Sequence, residues 1–419
     1  MNKTGKWMKT LLLTLLCLCL ALPAGAASAE EITDLGVDGF DDLAYMTTLS
    51  DGRILLGGVR AVDGSEEKCT DWLLCLNPDM TVSWEYLDPA CSAVRCQLAV
   101  EHADGTIGTI LSCYVDGVGG VYTLHCFTPD GKAVKETALP DNDGMSITNL
   151  TKTRMLVTDN TSDDGLHIWL QDWDGNRIAE CTGFVYAHGM IEEEDGLVLA
   201  VHRMREDRKA GFIQKTDLQG TILWETEIPY AWAESAGMQI KSVMQTEDGG
   251  YLEIQIEAIL MEDGSEAEYR TALVKLDGDG NILWTSTDGL ENFTGLCTAA
   301  AMADGKTAVS FIKYQPGPGT HRMDRTRTVI WFDEDGKNLG KTELNLTPES
   351  FERLDGILRT EPDKAEWIPA LYTDSLIPMQ DGLQMLSFVT LIDPVYDEQY
   401  GNSYDTVMIR IPEPAVPQK

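Results

Sequence analysis

Basic residues are scarce in this chain of 419 residues, which has 32 lysines and arginines against 68 aspartates and glutamates and a formal net charge of −36. A surface of that sign repels nucleic acid and anionic lipid, because binding to phosphates depends on a basic face that releases counterions. After the first 29 residues, no apolar run approaches the ~20 residues that a membrane-spanning helix needs. The composition therefore argues against nucleic-acid partners and against a membrane span.

The short motifs of common catalytic sites are also missing. The chain contains no His-Glu-x-x-His, no Gly-x-Ser-x-Gly, no phosphate loop and no dinucleotide fingerprint. Its six histidines show no metal-ligand spacing. Carboxylates are abundant enough to include a glycosidase pair, so a carbohydrate-active hydrolase stays open as the alternative. We expect a protein without cofactor or metal that is not an enzyme.

Residues 1–29 have the pattern of a cleaved export signal. Three lysines precede the apolar run LLLTLLCLCLALP, which small residues follow up to the expected cleavage site before Glu30. This pattern predicts a secreted, extracellular protein whose mature part, residues 30–419, forms one domain and a monomer.

The cysteines suggest two different roles. Cys91 and Cys96, in the segment ACSAVRCQ, are the candidate disulfide, since export permits one. Cys75 and Cys126 each lie three residues before a proline in matching strands, which favours a repeated small core residue over a bridge.

One kind of turn recurs seven times along the chain, about every 50 residues. Its copies are LSDGRILLGG, HADGTIGTI, LTKTRMLVTD, EEEDGLVLAV, TEDGGYLEIQ, MADGKTAVSF and MQDGLQMLSF. A second turn follows in each of the first six units: NPDMTVSWEY, TPDGKAVKET, DWDGNRIAE, DLQGTILWET, DGDGNILWTS and DEDGKNLGKT. Asp-Gly and Gly-Asn between short alternating apolar runs are typical of β-hairpins, because glycine and asparagine adopt positive φ at little cost.

Two hairpins in each of seven units predict an all-β fold, a seven-bladed β-propeller of four-stranded blades. The last unit ends after the third strand, DTVMIRIP, while EITDLGV near the N-terminus has no partner of its own. We expect these two segments to pair and close the ring, which removes two open sheet edges. A short helical insert is expected at about residues 345–360, with Thr347 as N-cap and Pro348 at the first helical position.

The segment DGDGN, residues 277–281, could be a turn or a metal loop. An EF-hand loop from Asp277 would need glycine at its sixth position and glutamate at its twelfth, where the chain has Ile282 and Asp288. A hairpin turn is the favoured interpretation, and a looser oxygen site for calcium at Asp277, Asp279 and Asn281 is the alternative.

Trp84, Trp224 and Trp284 each follow the second turn of their unit by four residues, counted from Met80, Gly220 and Gly280. This spacing resembles the repeat of quinoprotein-type (PQQ-like) propellers, and the likeness extends over most of residues 30–419. The resemblance implies a propeller in which the tryptophan packs adjacent blades together. No quinone-binding residue of that family is matched, so a quinone-dependent oxidoreductase is less favoured. The turn NPDMTVSW also shares Asp79 and Trp84 with the Asp-box of sialidases.

The longest loops fall on one side of the predicted ring, opposite the short turns. Some are locally basic and others carry aromatic rings, which favour interfaces and sugar faces. The simpler interpretation is that the arginines balance neighbouring acids and the rings pack within their own loops. As a group, the loops predict a site near the ring axis for an extracellular protein, glycan or cell-wall component with some negative charge. The candidate residues are Arg203, Arg205, Arg208, Tyr230, Trp232, Tyr314, Arg322, Arg325, Tyr396 and Tyr400.

Overall fold

The fold is described from a computed structural model. It describes residues 31–35, 41–62, 65–87, 92–93, 98–115, 119–138, 145–159, 167–181, 185–205, 208–259, 268–290, 298–314, 323–344, 347, 350–351, 359, 368–379, 382–392 and 405–414.

Seven antiparallel sheets, here called blades 1 to 7, follow one another along the chain after a first strand, β1 (Glu31–Asp34). Blade 1 contains β2 (Asp41–Thr48), β3 (Ile54–Val62), β4 (Ser65–Leu76) and β5 (Val82–Leu87). Blade 2 contains β6 (Ser92–Ala93), β7 (Leu98–Glu101), β8 (Ile107–Val115), β9 (Gly119–Phe127) and β10 (Ala133–Ala138). Both β6 and β7 pair with β8, so the first strand of blade 2 is in two pieces.

The next three blades each have four strands. Blade 3 contains β11 (Met145–Leu150), β12 (Met155–Asp159), β13 (His167–Gln171) and β14 (Arg177–Glu180). Blade 4 contains β15 (Tyr186–Glu192), β16 (Leu197–Arg205), β17 (Arg208–Thr216) and β18 (Ile222–Ile228). Blade 5 contains β19 (Ser235–Gln245), β20 (Tyr251–Ile259), β21 (Glu268–Leu276) and β22 (Ile282–Ser286).

Blade 6 contains β23 (Thr298–Ala301), β24 (Thr307–Tyr314), β25 (Met323–Phe332) and β26 (Asn338–Leu344). Blade 7 contains β27 (Ile368–Met379), β28 (Gly382–Ile392) and β29 (Asp405–Pro412), and β1 is its fourth strand. The register pairs Glu31 with Arg410 and Asp34 with Val407, and the Leu35 amide continues the ladder by donating to the Thr406 carbonyl at 2.9 Å. The predicted seven-bladed propeller and its closure are thus confirmed.

The recurring turns are hairpins, as predicted. In DGDGN the Gly280 amide donates to the Asp277 carbonyl at 3.1 Å, and Gly280 has a φ of 83°. The Asp277 carboxylate accepts from the amides of Asp279 and Asn281 at 3.0 and 2.8 Å, so it caps its own turn. In blade 1 Met80 occupies the glycine position, with a φ of 67°.

The hydrophobic core lies between the blades. Each interface between consecutive blades, here called a seam and named by the two blades, has its own cluster of buried apolar side chains. In the 4–5 seam, for example, Val198 and Ile213 of blade 4 pack with Ile240 and Val274 of blade 5. Because alternate residues of a strand point to opposite faces, each middle strand contributes to the seams on both sides.

The three repeated tryptophans cross the seams, as the resemblance implied. A Cβ added to Gly131, Gly280 or Gly336 would lie 2.4, 2.6 or 2.7 Å from the ring of Trp84, Trp224 or Trp284 in the preceding blade. Each of these rings therefore lies directly against a glycine turn of the next blade. Elsewhere the corresponding contact differs: Lys135 pairs with Asp174 in the 2–3 seam, and Ala179 meets Gly220 in the 3–4 seam.

Other sequence predictions have mixed outcomes. Cys75 is buried in the 1–2 seam and Cys126 is half-buried, in keeping with repeated core residues. Cys91 and Cys96 lie outside the described residues, and so does most of the insert at 345–360. Within the insert, the Ser350 amide donates to the Thr347 carbonyl at 2.9 Å. None of the described helical residues forms a helix long and apolar enough to cross a membrane.

Candidate functional site

Three of the predicted site residues belong to the blade 4 and blade 5 side of the loop face. We use this term for the side of the ring that holds the loops between blades and between second and third strands; the opposite side is the turn face. Arg203 lies near the end of β16, while Tyr230 and Trp232 lie in the loop from β18 to β19.

The remaining predicted residues are only partly described. Arg205 and Arg208 pair at the ends of β16 and β17, but their side chains lie outside the description, as do those of Tyr314 in β24 and Arg325 in β25. Arg322, Tyr396 and Tyr400 lie wholly outside the described residues.

The loop of residues 229–234 is fixed from below by the carboxylate of Glu257 in β20. That carboxylate accepts from the Ala231 amide at 2.6 Å, from the Trp232 amide at 3.4 Å and from the Ser235 hydroxyl. Gln255 donates its side-chain amide to the same carboxylate at 2.7 Å. Charge-assisted bonds of this kind are stronger than neutral ones, so the loop has a defined conformation although it lies at the surface.

Two aromatic rings on this face each lie close to a cationic side chain. The Arg270 guanidinium lies 5.9 Å from the Trp232 ring centroid and pairs with Glu234 at 3.5 Å. The Lys209 ammonium lies 5.0 Å from the ring centroid of Tyr186, which is half exposed. A cation over a ring face is attracted by the ring quadrupole. Each pair places a positive charge beside a flat apolar ring. We call Tyr186, Lys209, Trp232 and Arg270 the aromatic–cation patch.

For individual residues, the simpler interpretation is often the right one. Arg203 pairs with Glu225, donates to Gln214 at 2.7 Å and lies over Phe212, so its charge is used within blade 4. The hydroxyl of Tyr230 donates to the Lys209 carbonyl at 2.9 Å, which ties that side chain to β17 of blade 4. Arg327, two residues after the predicted Arg325, is buried in β25 and donates to the Leu371 carbonyl at 2.9 Å, so it adds no charge to the surface.

Sequence reasoning missed a row of polar residues in β20: Glu253, Gln255 and Glu257. They alternate with Leu252, Ile254 and Ile256, a pattern that ordinarily indicates one buried and one solvated face. Here both faces are buried, because blade 5 is packed on both sides. Within the described residues, neither carboxyl oxygen of Glu253 has a hydrogen-bond partner, and burial, helped by the nearby Glu257 charge, raises the pKa of Glu253 well above its ordinary value.

A second buried titratable group lies in the same seam. His202 in β16 accepts a hydrogen bond from the Ile240 amide of β19 at 3.1 Å through Nε2, which requires the neutral ring. Burial, together with the charges of His188 and Lys209, lowers the pKa of His202 to about 4. The 4–5 seam thus contains a neutral histidine and a carboxyl that favours its protonated form.

Catalytic and metal chemistry gain little support from these groups. The carboxyls whose pKa burial raises are Glu253 and Glu257, and both side chains are fully buried, out of reach of a substrate at the surface. In the part of the chain that the structure describes, no group of three or more histidine, cysteine, aspartate or glutamate side chains could hold a metal ion.

Comparisons with known proteins give only distant structural neighbours. No protein-family model and no curated protein sequence matches the chain. Among solved structures it is similar to BamB from Moraxella catarrhalis, with 11% identity, a TM-score of 0.41, and coverage of 90% of this chain and 98% of that one. It is also similar to the β-propeller domain of the Trilobed protease from Pyrococcus furiosus, with 12% identity, a TM-score of 0.45, and coverage of 85% and 98%. The sheet topology itself shows that the protein is a β-propeller, a fold that supports many unrelated functions.

Proposed function

We propose that the protein is an exported, non-catalytic β-propeller that binds an extracellular protein or glycan through the loop face of blades 4 and 5. The observation that supports this most is the aromatic–cation patch, because three of its residues lie in strands and the fourth, Trp232, lies on a loop whose backbone is fixed by Glu257. Loops positioned by a rigid scaffold are where binding residues commonly lie.

The chemistry of the patch suggests the class of partner. Aromatic rings favour sugar faces and protein interfaces, while Lys209 and Arg270 favour negative charge. The chain as a whole has a net charge of −36. Two cations beside rings are therefore local attractors for an acidic glycan or an acidic protein segment on a surface that otherwise repels one. The pattern of residues 1–29 supports the extracellular setting.

Pull-down from the extracellular material of the source organism tests the proposal. The variant Trp232→Ala with Arg270→Gln should weaken capture of the partner about tenfold or more, because it removes a central ring and its cation. Capture by the wild-type protein should also weaken as the salt concentration rises, because salt screens the attraction between the partner and the two cations. A hydrolase would instead release product from a glycan panel, and such release would contradict the non-catalytic proposal.

A matched control is available in blade 3. Arg177 lies over Trp169 at 4.4 Å and pairs with Glu180, as Arg270 lies over Trp232 and pairs with Glu234. Arg177→Gln should leave capture unchanged. Undiminished capture by the blade 4–5 variant, with its melting temperature preserved, would remove this patch from consideration.

A further inference from the structure

Six of the seven seams are filled at the turn face by one large side chain. It comes from the start of the second strand of a blade and points at the preceding blade. The six residues, all nearly or fully buried, are Ile54, Ile107, Met155, Leu197, Tyr251 and Leu383. In blade 6 the same position is Thr307, the first residue of β24. A side chain about half as large therefore faces the 5–6 seam.

The 4–5 seam illustrates what the large residue does. The Tyr251 ring lies 5.9 Å from the ring of Trp224, between the centroids. Its hydroxyl donates to Glu193 at 2.5 Å, and Glu193 also pairs with Lys215 at 2.7 Å. The phenol thus fills the space between the tryptophan and the turn of blade 4.

The 5–6 seam has the same walls without the phenol. Trp284 corresponds to Trp224, Lys275 to Lys215 and Thr246 to Glu193, as the strand registers of blades 4 and 5 show. Between these residues and Thr307 is a cleft of about 310 Å³, with Leu252 in its lining. That volume is at the lower end of the range for small-molecule sites, about 300–1,000 Å³. The cleft is therefore large enough for a small organic group beside the indole.

The charged side chains that line the cleft indicate which kind of organic group it would bind. Five carboxylates line it, those of Glu247, Asp248, Asp304, Asp333 and Glu334, against one ammonium, that of Lys275. Lys275 is already bound to Asp248, at 2.7 Å, and to Thr246. Asp304 is bound by Lys306, which also pairs with Glu413 at 2.8 Å. Glu247, Asp333 and Glu334 have no such ammonium in the described residues, so the cleft is negative next to an aromatic ring.

We propose that the cleft in the 5–6 seam, opened by Thr307 and lined by Trp284 and carboxylates, binds an organic cation: an amine or guanidinium carried on an aromatic or short aliphatic body. The body takes the place that the Tyr251 phenol takes in the neighbouring seam. The cation lies toward the carboxylates and is further favoured by the indole quadrupole. This site is on the turn face, away from the aromatic–cation patch, and does not depend on it.

Calorimetry with two matched probes tests the proposal. Tyramine has a phenol and an ammonium; tyrosol replaces the ammonium by a hydroxyl. Tyramine should bind the full mature chain about tenfold or more tighter than tyrosol, since a charge–charge interaction distinguishes them. Equal affinity of the two, or no binding of tyramine at millimolar concentration, would overturn the proposal. Acetyl-arginine amide is a further probe, which represents an arginine side chain in a peptide. If it binds more tightly than tyramine, the natural ligand is a peptide; if it binds more weakly, the natural ligand is a free amine.

Two substitutions at the same position locate the probe. Thr307→Tyr fills the cleft and should reduce tyramine affinity about tenfold or more, whereas Thr307→Val keeps the side-chain size and should retain binding. Unchanged binding by Thr307→Tyr would overturn the assignment to this seam. If Thr307→Tyr does not fold, the double variant Glu247→Gln with Glu334→Gln still tests the proposal, because it changes exposed charges only. Unchanged tyramine affinity of this double variant would contradict the role of the carboxylates.

Discussion

The 4–5 and 5–6 seams have equivalent walls but different contents. Trp224 and Trp284 lie against glycine turns of the next blade in the same way, and Lys215 and Lys275 occupy equivalent strand positions. One seam is then filled by Tyr251, while the other has Thr307 and a cleft of about 310 Å³. The difference teaches that a repeat fold can produce a candidate site by reducing one core residue, with no change in the backbone plan.

The 4–5 seam differs in a second respect, since it buries carboxyl groups and a histidine. Burial raises the pKa of Glu253 and lowers that of His202 in this seam, and the Glu257 carboxylate fixes the loop that presents Trp232. The 5–6 seam is lined in its interior by apolar residues such as Leu273, Val309 and Phe311. The blade 4–5 region thus combines a filled turn face with buried titratable groups toward its loop end, whereas the blade 5–6 region has an open cleft at its turn face.

Among the variants that test this comparison, removal of the Tyr251 ring should change the free energy of unfolding most. Tyr251→Thr gives the 4–5 seam the residue of the 5–6 seam, and we expect a loss of about 3 kcal/mol, because buried aromatic truncations cost about that much. Thr307→Val, the size-matched change in the other seam, should cost less than about 1 kcal/mol. Denaturant unfolding of both variants measures the difference. Equal losses would contradict the different filling of the two seams.

Glycine-to-alanine changes measure the tryptophan contacts separately. Gly280 and Gly175 have similar positive φ values, 83° and 86°, but an added Cβ meets the Trp224 ring at 2.6 Å in the first case and nothing within 4 Å in the second. Gly175→Ala should cost about 1 kcal/mol from backbone conformation alone, and Gly280→Ala about 2–3 kcal/mol, because the ring must also move. Gly336→Ala should behave as Gly280→Ala does, since Trp284 lies at 2.7 Å. If all three variants melted at the same temperature, the close packing of the rings would be disproved.

Filling the cleft should produce a smaller, stabilising effect. Thr307→Tyr places a phenol beside Trp284, and the gain should be about 1 kcal/mol, in the range of other cavity-filling changes. A rise in melting temperature is the expected result of differential scanning calorimetry. A large decrease would show that the 5–6 seam cannot take a residue of that size, in contrast to the 4–5 seam.

The smallest expected effect is the pH dependence of stability that Glu253 causes. Its folded pKa is raised by burial above the ordinary unfolded value near ~4.3. As pH rises above that value the unfolded state loses its proton first, so the stability contributed by the neutral carboxyl decreases toward alkaline pH. Glu253→Met removes this titration and should raise the melting temperature by a few degrees at pH 8, with a smaller gain at pH 4. A gain that is independent of pH would show that Glu253 is not protonated in the folded state.

The stability contributed by His202 depends on pH in the opposite direction. Its folded pKa of about 4 lies below the ordinary value, so its contribution is lost as pH falls from about 6.5 toward 4. The pH dependence of the Glu253→Met variant therefore retains an acidic decline. Absence of that decline in both proteins would contradict the neutral, hydrogen-bonded His202.

The fold was largely predictable because its signals are local and repeated. Asp-Gly turns with period-two strands define hairpins, and the unpaired EITDLGV segment predicted closure through β1. The seam tryptophans were also recognisable from their fixed distance after the turn. Even Thr307 could have been noticed, since MADGKTAVSF has a small polar residue where the other first turns have isoleucine, methionine, leucine or tyrosine.

The sites were harder to predict because they depend on contacts between blades. Nothing in the sequence near Arg203 shows that Glu225 and Gln214 would bind its charge. The alternation in YLEIQIEAI indicated a solvated face, but blade packing on both sides buries Glu253 and Glu257. Arg270 contacts Trp232 from β21 while Trp232 lies in the loop between β18 and β19, and only the folded arrangement brings the two together.

The most direct test of the contrast between the two seams is a crystal structure of residues 30–419 soaked with tyramine. The account predicts electron density for tyramine in the 5–6 seam, between Trp284 and Thr307, and none beside Trp224, where Tyr251 occupies the space. An empty 5–6 seam at saturating tyramine, or equal density in both seams, would contradict it.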